Sequence, residues 1–309
     1  MIGILMATYN GEAFVSAQID SLLRQTKQDF VLCIRDDCSS DKTFSILERY
    51  ADQYPEKIKV SRSACNSGSA RLNFLSLLQE HDDDYLMFCD QDDVWLPDKI
   101  EHTLSAMRQA EQMYGEDTPL LVHTDLRVVG EDLTVTHPSF REMSRLDYRR
   151  TALRQLLVEN TVTGCTLMIN RALRNRIVPV PEECAMHDWW LALAASAFGH
   201  IVSLEDEQTV LYRQHTANEV GAKDASSASY VLKRLFRARD MQNGLQATYR
   251  QAAAFLTAYE SQLSEAQAAL LREYARIPEH AKFGRIWRLC KLKSWKHGII
   301  RVLGQILFI

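Results

Sequence analysis

Short apolar runs recur through the first ninety residues, and each ends in a polar loop. Residues 2–6, 30–34 and 85–88 have the length and composition of buried strands, and 58–61 reads as a further short strand. Between them, apolar positions return at helical spacing. Phe14, Ile19, Leu22 and Leu23 mark a helix within 12–25, and residues 43–50 and 70–78 read as two more. Strand, loop and helix in repetition predict an α/β fold, a doubly wound, mostly parallel sheet flanked by helices. The polar loops all follow strands, so they gather at one edge of the sheet, where ligands bind in such folds.

The second half is less regular. Residues 120–125 continue into 126–129 as a strand. Residues 160–169 suit a strand with a close backbone approach near Gly164. Residues 187–198 form an apolar helix opened by His187-Asp188. Residues 201–204 and 209–212 read as a final strand pair, followed by Arg213-Gln214-His215. The small, polar run 222–229 reads as a linker, and helices are expected over 230–238, 241–259 and 265–275. The expected organisation is one domain over 1–221 and a helical C-terminal region over 222–309.

Composition narrows the class. Of 309 residues, 46% are hydrophobic and 25% charged, which suits an ordinary globular protein with a sizeable core. The net charge of -4 gives no global case for nucleic-acid binding. From Arg276 onward, however, the tail holds eight Lys or Arg and one acid, Glu279, so the rest of the chain is acidic. That asymmetry points the tail at an anionic surface. The seven cysteines are odd in number and include no Cys-x-x-Cys pair, which fits a reduced, cytoplasmic protein. No signal peptide or membrane span is expected.

The most chemically loaded stretch is Asp90-Gln91-Asp92-Asp93, reached directly from the apolar run 85–88. Three carboxylates within four positions repel one another unless something neutralises them. Hard oxygen ligands suit magnesium or manganese, and a diphosphate can complete the shell. The bland alternative is a solvated acidic turn, with Asp93 or Asp98 capping the next helix.

Several stretches carry a family resemblance. They are Met6-Ala7-Thr8-Tyr9-Asn10-Gly11, the loop from Arg35 through Asp37 to Thr43, Asp90-Gln91-Asp92-Asp93 with Pro97, His187-Asp188-Trp189, and Tyr212-Arg213-Gln214-His215. In this order and spacing they resemble a family-two glycosyltransferase with the GT-A fold, over roughly residues 1–218. Asp90 to Pro97, Glu159-Asn160-Thr161-Val162-Thr163-Gly164 and Met186 to Trp189 are most similar to bacterial rhamnosyltransferases of cell-wall and O-antigen polysaccharide synthesis.

The resemblance implies roles. Thr8, Tyr9, Asn10, Asp37, Asn66, Arg71, Asp90 and Gln91 would hold a nucleotide sugar, with Tyr9 stacked on the base and Asp37 accepting from it. Asp92, Asp90 and His215 would hold Mn2+ or Mg2+, and Asp93 would cap a helix or support the pair. Asp188 would be the general base, although many relatives carry Glu-Asp where this chain has His187-Asp188. Thr163, Gly164, His187 and Trp189 would meet the acceptor and sugar. The implied reaction is inverting transfer from dTDP-β-L-rhamnose to a lipid-linked polysaccharide precursor at the inner face of the plasma membrane. Another family-two transferase using a UDP-sugar, a sugar nucleotidyltransferase and a non-catalytic glycan-binding scaffold are the rivals. A nucleotidyltransferase lacks support, because residues 7–11 have no basic, glycine-rich character.

The tail interleaves Phe283, Trp287, Trp295, Ile299, Leu303 and Leu307 with Arg285, Arg288, Lys291, Lys293, Lys296 and Arg301. Such a pattern fits an interfacial helix on anionic lipid. It equally fits a helical hairpin packed on the catalytic domain or on a second subunit of a homo-oligomer.

Overall fold

A computed structural model describes residues 1–177, 180–181, 183–215 and 238–309. The expected linker at 222–229 and the helix expected over most of 230–238 lie outside the described residues. In chain order the elements begin β1 (Ile2–Thr8), α1 (Val15–Leu23), β2 (Phe30–Asp36), α2 (Thr43–Gln53), β3 (Ile58–Arg62), α3 (Ala70–Glu80), β4 (Tyr85–Asp90), β5 (Val94–Trp95) and α4 (Lys99–Tyr114). They continue with β6 (Leu120–Val129), β7 (Val135–His137), α5 (Phe140–Met143), α6 (Leu153–Leu156), β8 (Leu167–Asn170), α7 (Arg171–Arg176), α8 (His187–Phe198) and β9 (His200–Arg213). The last helices are α9 (Ala238–Tyr259), α10 (Glu265–Ala275), α11 (Lys282–Leu292) and α12 (Ile299–Phe308).

The chain divides into two compact units. The first comprises 1–140, 163–176 and 200–222, and the second comprises 141–162, 177–199 and 223–309. The second unit therefore draws on two segments from within 1–221, as well as on the C-terminal helices.

Among the described residues, all strands belong to the first unit and form one nine-stranded sheet, ordered β3-β2-β1-β4-β8-β6-β9-β5 with β7 paired to β6. Strands β3, β2, β1 and β4 run parallel, while β8 enters antiparallel between β4 and β6. The parallel half follows from burial on both faces. Ile4, Leu5, Met6, Leu86, Met87 and Phe88 are fully buried, so β1 and β4 read as unbroken apolar runs rather than alternating ones. The covering helices show the helical period. In α1, Val15, Gln18, Ile19 and Leu22 are buried, and in α4, Ile100, Thr103, Leu104 and Met107 are buried.

Two expectations are corrected. The strand expected over 160–169 is confined to Leu167–Asn170, after a 3-10 turn at Gly164–Thr166. Asn160 explains the shortening: its side chain accepts the Val162 N–H at 3.0 Å and donates to the Val162 carbonyl at 2.8 Å, taking the groups a ladder would use. The strand pair expected at 201–204 and 209–212 is one strand, β9, parallel to β6. Thr124 pairs Leu204 and Asp125 pairs Gln208, so Glu205, Asp206 and Glu207 bulge out between them. A bulge keeps three adjacent carboxylates out of the ladder without ending the strand.

The second unit is cored by aromatic rings. Trp190 of α8 packs 5.1 Å from Phe255 and 6.0 Å from Tyr259 of α9, and its indole N–H donates to the Tyr259 hydroxyl at 3.3 Å. Among the described residues, no helix is long and apolar enough to cross a membrane.

His123 on β6 makes stability depend on pH. It is buried with Nε2 2.8 Å from Ser203 Oγ, and burial pushes its pKa down to about 3 from 6.5. Between those values the unfolded chain binds a proton that the native chain does not. Stability is therefore full above pH 6.5 and falls as pH drops, by up to ~1.4 kcal/mol per pH unit. Thermal unfolding at about pH 7 and about pH 5 should show a smaller acid-induced drop in His123→Gln than in the parent chain; equal drops would contradict this origin.

Candidate functional site

The parallel order places the C-terminal ends of β2, β1 and β4 side by side. Thr8 lies opposite Asp36, and Ala7 lies opposite Asp90. The loops that follow are tied to one another by side chains. The Tyr9 N–H donates to the Gln91 carboxamide oxygen at 3.0 Å, and the Gln91 amide donates back to the Tyr9 carbonyl at 2.9 Å. This reciprocal pair joins the loop after β1 to the acidic motif and leaves the Tyr9 ring 47% exposed, open to stacking. Asn10 adopts a left-handed backbone, with φ 46°. Its N–H donates to Ser39 Oγ at 2.9 Å, and its side-chain oxygen accepts the Ser40 N–H at 2.9 Å. These bonds hold a conformation that asparagine tolerates better than most residues.

Asp36 ends β2 and Asp37 opens its loop, with different jobs. The buried Asp36 carboxylate gathers the Ser39 N–H at 3.0 Å, Ser39 Oγ at 2.5 Å, Thr8 Oγ1 at 3.3 Å and the Arg62 guanidinium at 3.4 Å. It fastens β1 and β3 to the loop. Asp37 accepts the Ser67 N–H at 3.0 Å and Ser67 Oγ at 2.7 Å. Asn66 donates to the Asp37 carbonyl at 3.2 Å and accepts the Gly68 N–H at 2.5 Å, shaping a turn in which Gly68 takes φ 78°. Arg71 stands half-buried in the first turn of α3.

The acidic motif is organised from β9. Asp92 Oδ2 lies 2.7 Å from His215 Nε2, and the His215 ring stacks on Phe14 at 4.5 Å. The buried Arg213 is the hub. Its N–H donates to Asp93 Oδ1 at 3.1 Å, its Nε to the Asp92 carbonyl at 2.9 Å and its Nη1 to the Glu131 carbonyl at 2.6 Å, while its guanidinium lies 4.9 Å from the Phe14 ring. Asp93 is fully buried and caps no helix. Asp98 occupies the cap position of α4 without a side-chain cap bond. Burial first, then Asp92 and Asp90, hold the Asp93 carboxyl well above its ordinary range, against the Arg213 N–H and Cys165.

Asp90, Asp93 and Cys165 bring their ligand atoms within 4.8 Å of one another. The donor set around the motif fits a hard divalent cation through the Asp90 and Asp92 carboxylates and the His215 imidazole. Cys165 fits it poorly, because burial holds its thiol protonated. Beneath the motif, Lys99 is buried with Nζ 4.7 Å over the Trp95 ring, 3.3 Å from the Thr166 carbonyl and 3.4 Å from Thr209 Oγ1. Burial lowers its pKa to about 8.

Thr163 and Gly164 also belong to this first unit, and the Thr163 carbonyl accepts the Thr166 N–H at 3.0 Å. His187, Asp188 and Trp189 belong to the second unit. Asp188 is the second residue of α8, behind the Met186 cap position, and its Oδ1 accepts the Trp189 N–H at 2.6 Å. The Trp189 indole donates to the Leu156 carbonyl at 2.6 Å. His187 is buried, and burial pushes its pKa down to about 3, so it is neutral near pH 7. Sequence reasoning gave no role to Phe14, Arg213, Ser67, Lys99 or Cys165. Only Arg213 carried a local signal, as part of the Tyr212-Arg213-Gln214-His215 stretch after the last apolar run.

The sequence model of glycosyl transferase family 2 matches residues 3–176. The dTDP-rhamnosyl transferase RfbG of Shigella flexneri is 30% identical over 236 residues, covering 73% of this chain and 76% of that one. A protein of Escherichia coli named UDP-Glc:alpha-D-GlcNAc-diphosphoundecaprenol beta-1,3-glucosyltransferase WfgD is 29% identical, covering 57% of this chain and 62% of its own. Among solved structures, S. aureus TarS 1–349 in complex with UDP superposes with TM-score 0.58 at 18% identity, covering 91% of this chain and 73% of that one. A Pyrobaculum calidifontis mannosyltransferase in complex with GDP-Man and Mn2+ superposes with TM-score 0.53 at 17% identity, covering 95% and 85%. The α/β architecture is therefore that of GT-A transferases, as the sequence motifs implied.

The Tyr9–Gln91 pair depends on the absence of a side chain at Gly11. A Cβ there would land on the Gln91 carboxamide, with the Gln91 Cδ at 2.5 Å. Gly11→Ala should push Gln91 aside, break both bonds to Tyr9 and lower unfolding stability by about 1–2 kcal/mol. A denaturant midpoint unchanged from the parent chain would contradict the clamp.

Proposed function

The chain belongs to glycosyl transferase family 2, and from that premise we propose that it is an inverting, metal-dependent rhamnosyltransferase. Its donor is dTDP-β-L-rhamnose, and its acceptor is a hydroxyl of a lipid-linked polysaccharide precursor at the inner face of the plasma membrane. The observation that carries this reading is the joining of Tyr9, Gln91, Asp92 and His215 into one connected edge by the pairs at 3.0, 2.9 and 2.7 Å. The relative named as a dTDP-rhamnosyl transferase supports the choice of sugar. In this reading residues 1–221 are the catalytic domain and 222–309 a helical appendage.

Tyr9 offers its exposed face to the pyrimidine, and Asp37, already oriented by Ser67, offers its remaining lone pairs to the base. Asn66 and Arg71 flank the same loop. Asp90, Asp92 and His215 are the residues that would hold Mn2+ or Mg2+, which supplies charge neutralisation to the departing nucleoside diphosphate. Asp188 takes the proton of the attacking acceptor hydroxyl. Neutral His187 beside it adds no positive charge next to that carboxylate. Trp189, Thr163 and Gly164 shape the acceptor side. With a single base and direct attack, the β-linked donor gives an α-linked product.

A UDP-sugar donor is the second reading, favoured by the relative named for UDP-Glc and by the structure of TarS with UDP-GlcNAc. Competition between dTDP-rhamnose and UDP-sugars in a transfer assay separates the two.

Asp92→Ala should weaken nucleotide binding in the presence of manganese by at least ~10-fold while leaving thermal unfolding near that of the parent chain. Calorimetric binding unchanged by the substitution would remove Asp92 from the metal set. Asp188→Ala should keep donor binding and lower the transfer rate by about 10²–10⁴-fold. Turnover at the parental rate would exclude Asp188 as the base.

A further inference from the structure

We propose that α11 and α12 together form a docking surface for an anionic lipid bilayer. From Lys282 to Ile309 the chain carries Lys282, Arg285, Arg288, Lys291, Lys293, Lys296 and Arg301 and no Asp or Glu. Within this basic stretch both helices turn large apolar side chains outward. On α11, Phe283 is 88% exposed and Trp287, one turn later, 58%. On α12, Ile299, Ile300, Leu303 and Leu307 are 80%, 43%, 59% and 52% exposed. Positions 299, 303 and 307, with 300 beside them, share one helical face.

The opposite faces are committed to the second unit. Leu289 and Gln305 are buried. Gln305 accepts the Lys296 N–H at 3.0 Å and donates to the Ser294 carbonyl at 3.3 Å. Arg301 pairs with Glu159 at 2.6 Å and donates to the Ser144 carbonyl. The Glu159 carboxylate also accepts the His297 N–H at 2.9 Å. The apolar stripe is thus held outward by a well-bonded underside. Lys282 Nζ donates to the Leu307 carbonyl at 3.0 Å, which joins the start of α11 to the end of α12 and brings their exposed faces to a common border.

Charge selects the occupant. Lys291 and Arg288 flank the Trp287 ring at 5.5 and 5.8 Å, so cations and rings alternate as they do in helices that lie at a headgroup boundary. Arg301 and Arg288 are already paired, with Glu159 at 2.6 Å and Glu273 at 3.8 Å; a second copy of the chain would still bring Lys282, Arg285, Lys291 and Lys293 against the same cations. An anionic headgroup layer offers negative charge at the rim and acyl chains beneath it. Helix α12, only 10 residues long, is too short to span and would lie in the plane. This surface stands apart from the choice of donor, and its test requires no sugar transfer.

The full chain is sedimented with vesicles of phosphatidylcholine alone and with about 30% phosphatidylglycerol. Binding should favour the anionic vesicles by at least ~10-fold and weaken in high salt. Phe283→Glu with Trp287→Glu, and separately Lys291→Glu with Lys293→Glu, should each reduce binding by at least ~10-fold with an unchanged thermal midpoint. All four positions are exposed, so folding is not at stake. Equal binding to neutral vesicles, no binding, or binding indifferent to both pairs of substitutions would overturn the proposal. So would a concentration-dependent dimer abolished by the same variants, which would assign the surface to a second copy.

Discussion

Three carboxylates at the mouth of one buried strand repel one another, and the first unit is built to hold them there. Arg213 does most of that holding. From the end of β9 it reaches the Asp92 carbonyl, the Asp93 carboxylate and the Glu131 carbonyl with three different donors. Its guanidinium also faces Phe14, whose ring stacks on His215. One buried cation therefore sets the path of the motif's backbone and helps fix the imidazole that meets Asp92. The carboxylates are divided by environment: Asp93 is sealed beneath with a raised pKa, while Asp92 remains at the half-buried rim. Burial makes Asp93 a structural acid and leaves the outer carboxylates for a ligand.

The same economy appears at the neighbouring loops. Asp36 closes the loop onto Ser39, Thr8 and Arg62, and Asp37 closes the next onto Ser67. Left-handed backbone at Asn10 is tolerated because bonds to Ser39 and Ser40 over-determine it. The loops after β1 and β4 stand on strands whose interiors are wholly apolar, so the rigid part of the sheet carries the polar edge. Residues that would contact a nucleotide, Tyr9 and Gln91, are positioned by each other rather than by the core.

Much of this was legible in the chain. The strands from Ile2, Phe30 and Tyr85 announced themselves because burial on both faces leaves apolar runs bounded by turn residues. Helix α8 was readable to the residue, since Asp188 and the apolar run after it sit together. The site motifs were readable for the same reason: polar residues crowd where apolar runs stop. What the sequence hid is pairing at long range. Asn160 ends a strand-like pattern by bonding its own neighbour's backbone. The bulge at Glu205–Glu207 depends on which strand lies alongside. Lys99 reads as a solvated helix start, yet it is buried over Trp95. Phe14 reads as an ordinary apolar helix position, although it packs against His215 from a distant segment. The separation of His187, Asp188 and Trp189 into the second unit likewise depends on contacts made far along the chain.

In the proposed function the edge formed by Tyr9, Gln91, Asp92 and His215 would hold a nucleoside diphosphate together with a divalent metal. Calorimetric titration of the parent chain with dTDP, with manganese and with the metal chelated, addresses it directly. Binding should be saturable in manganese and weaken by at least ~10-fold when the metal is removed. Equal affinity with and without metal, or no binding under either condition, would contradict it.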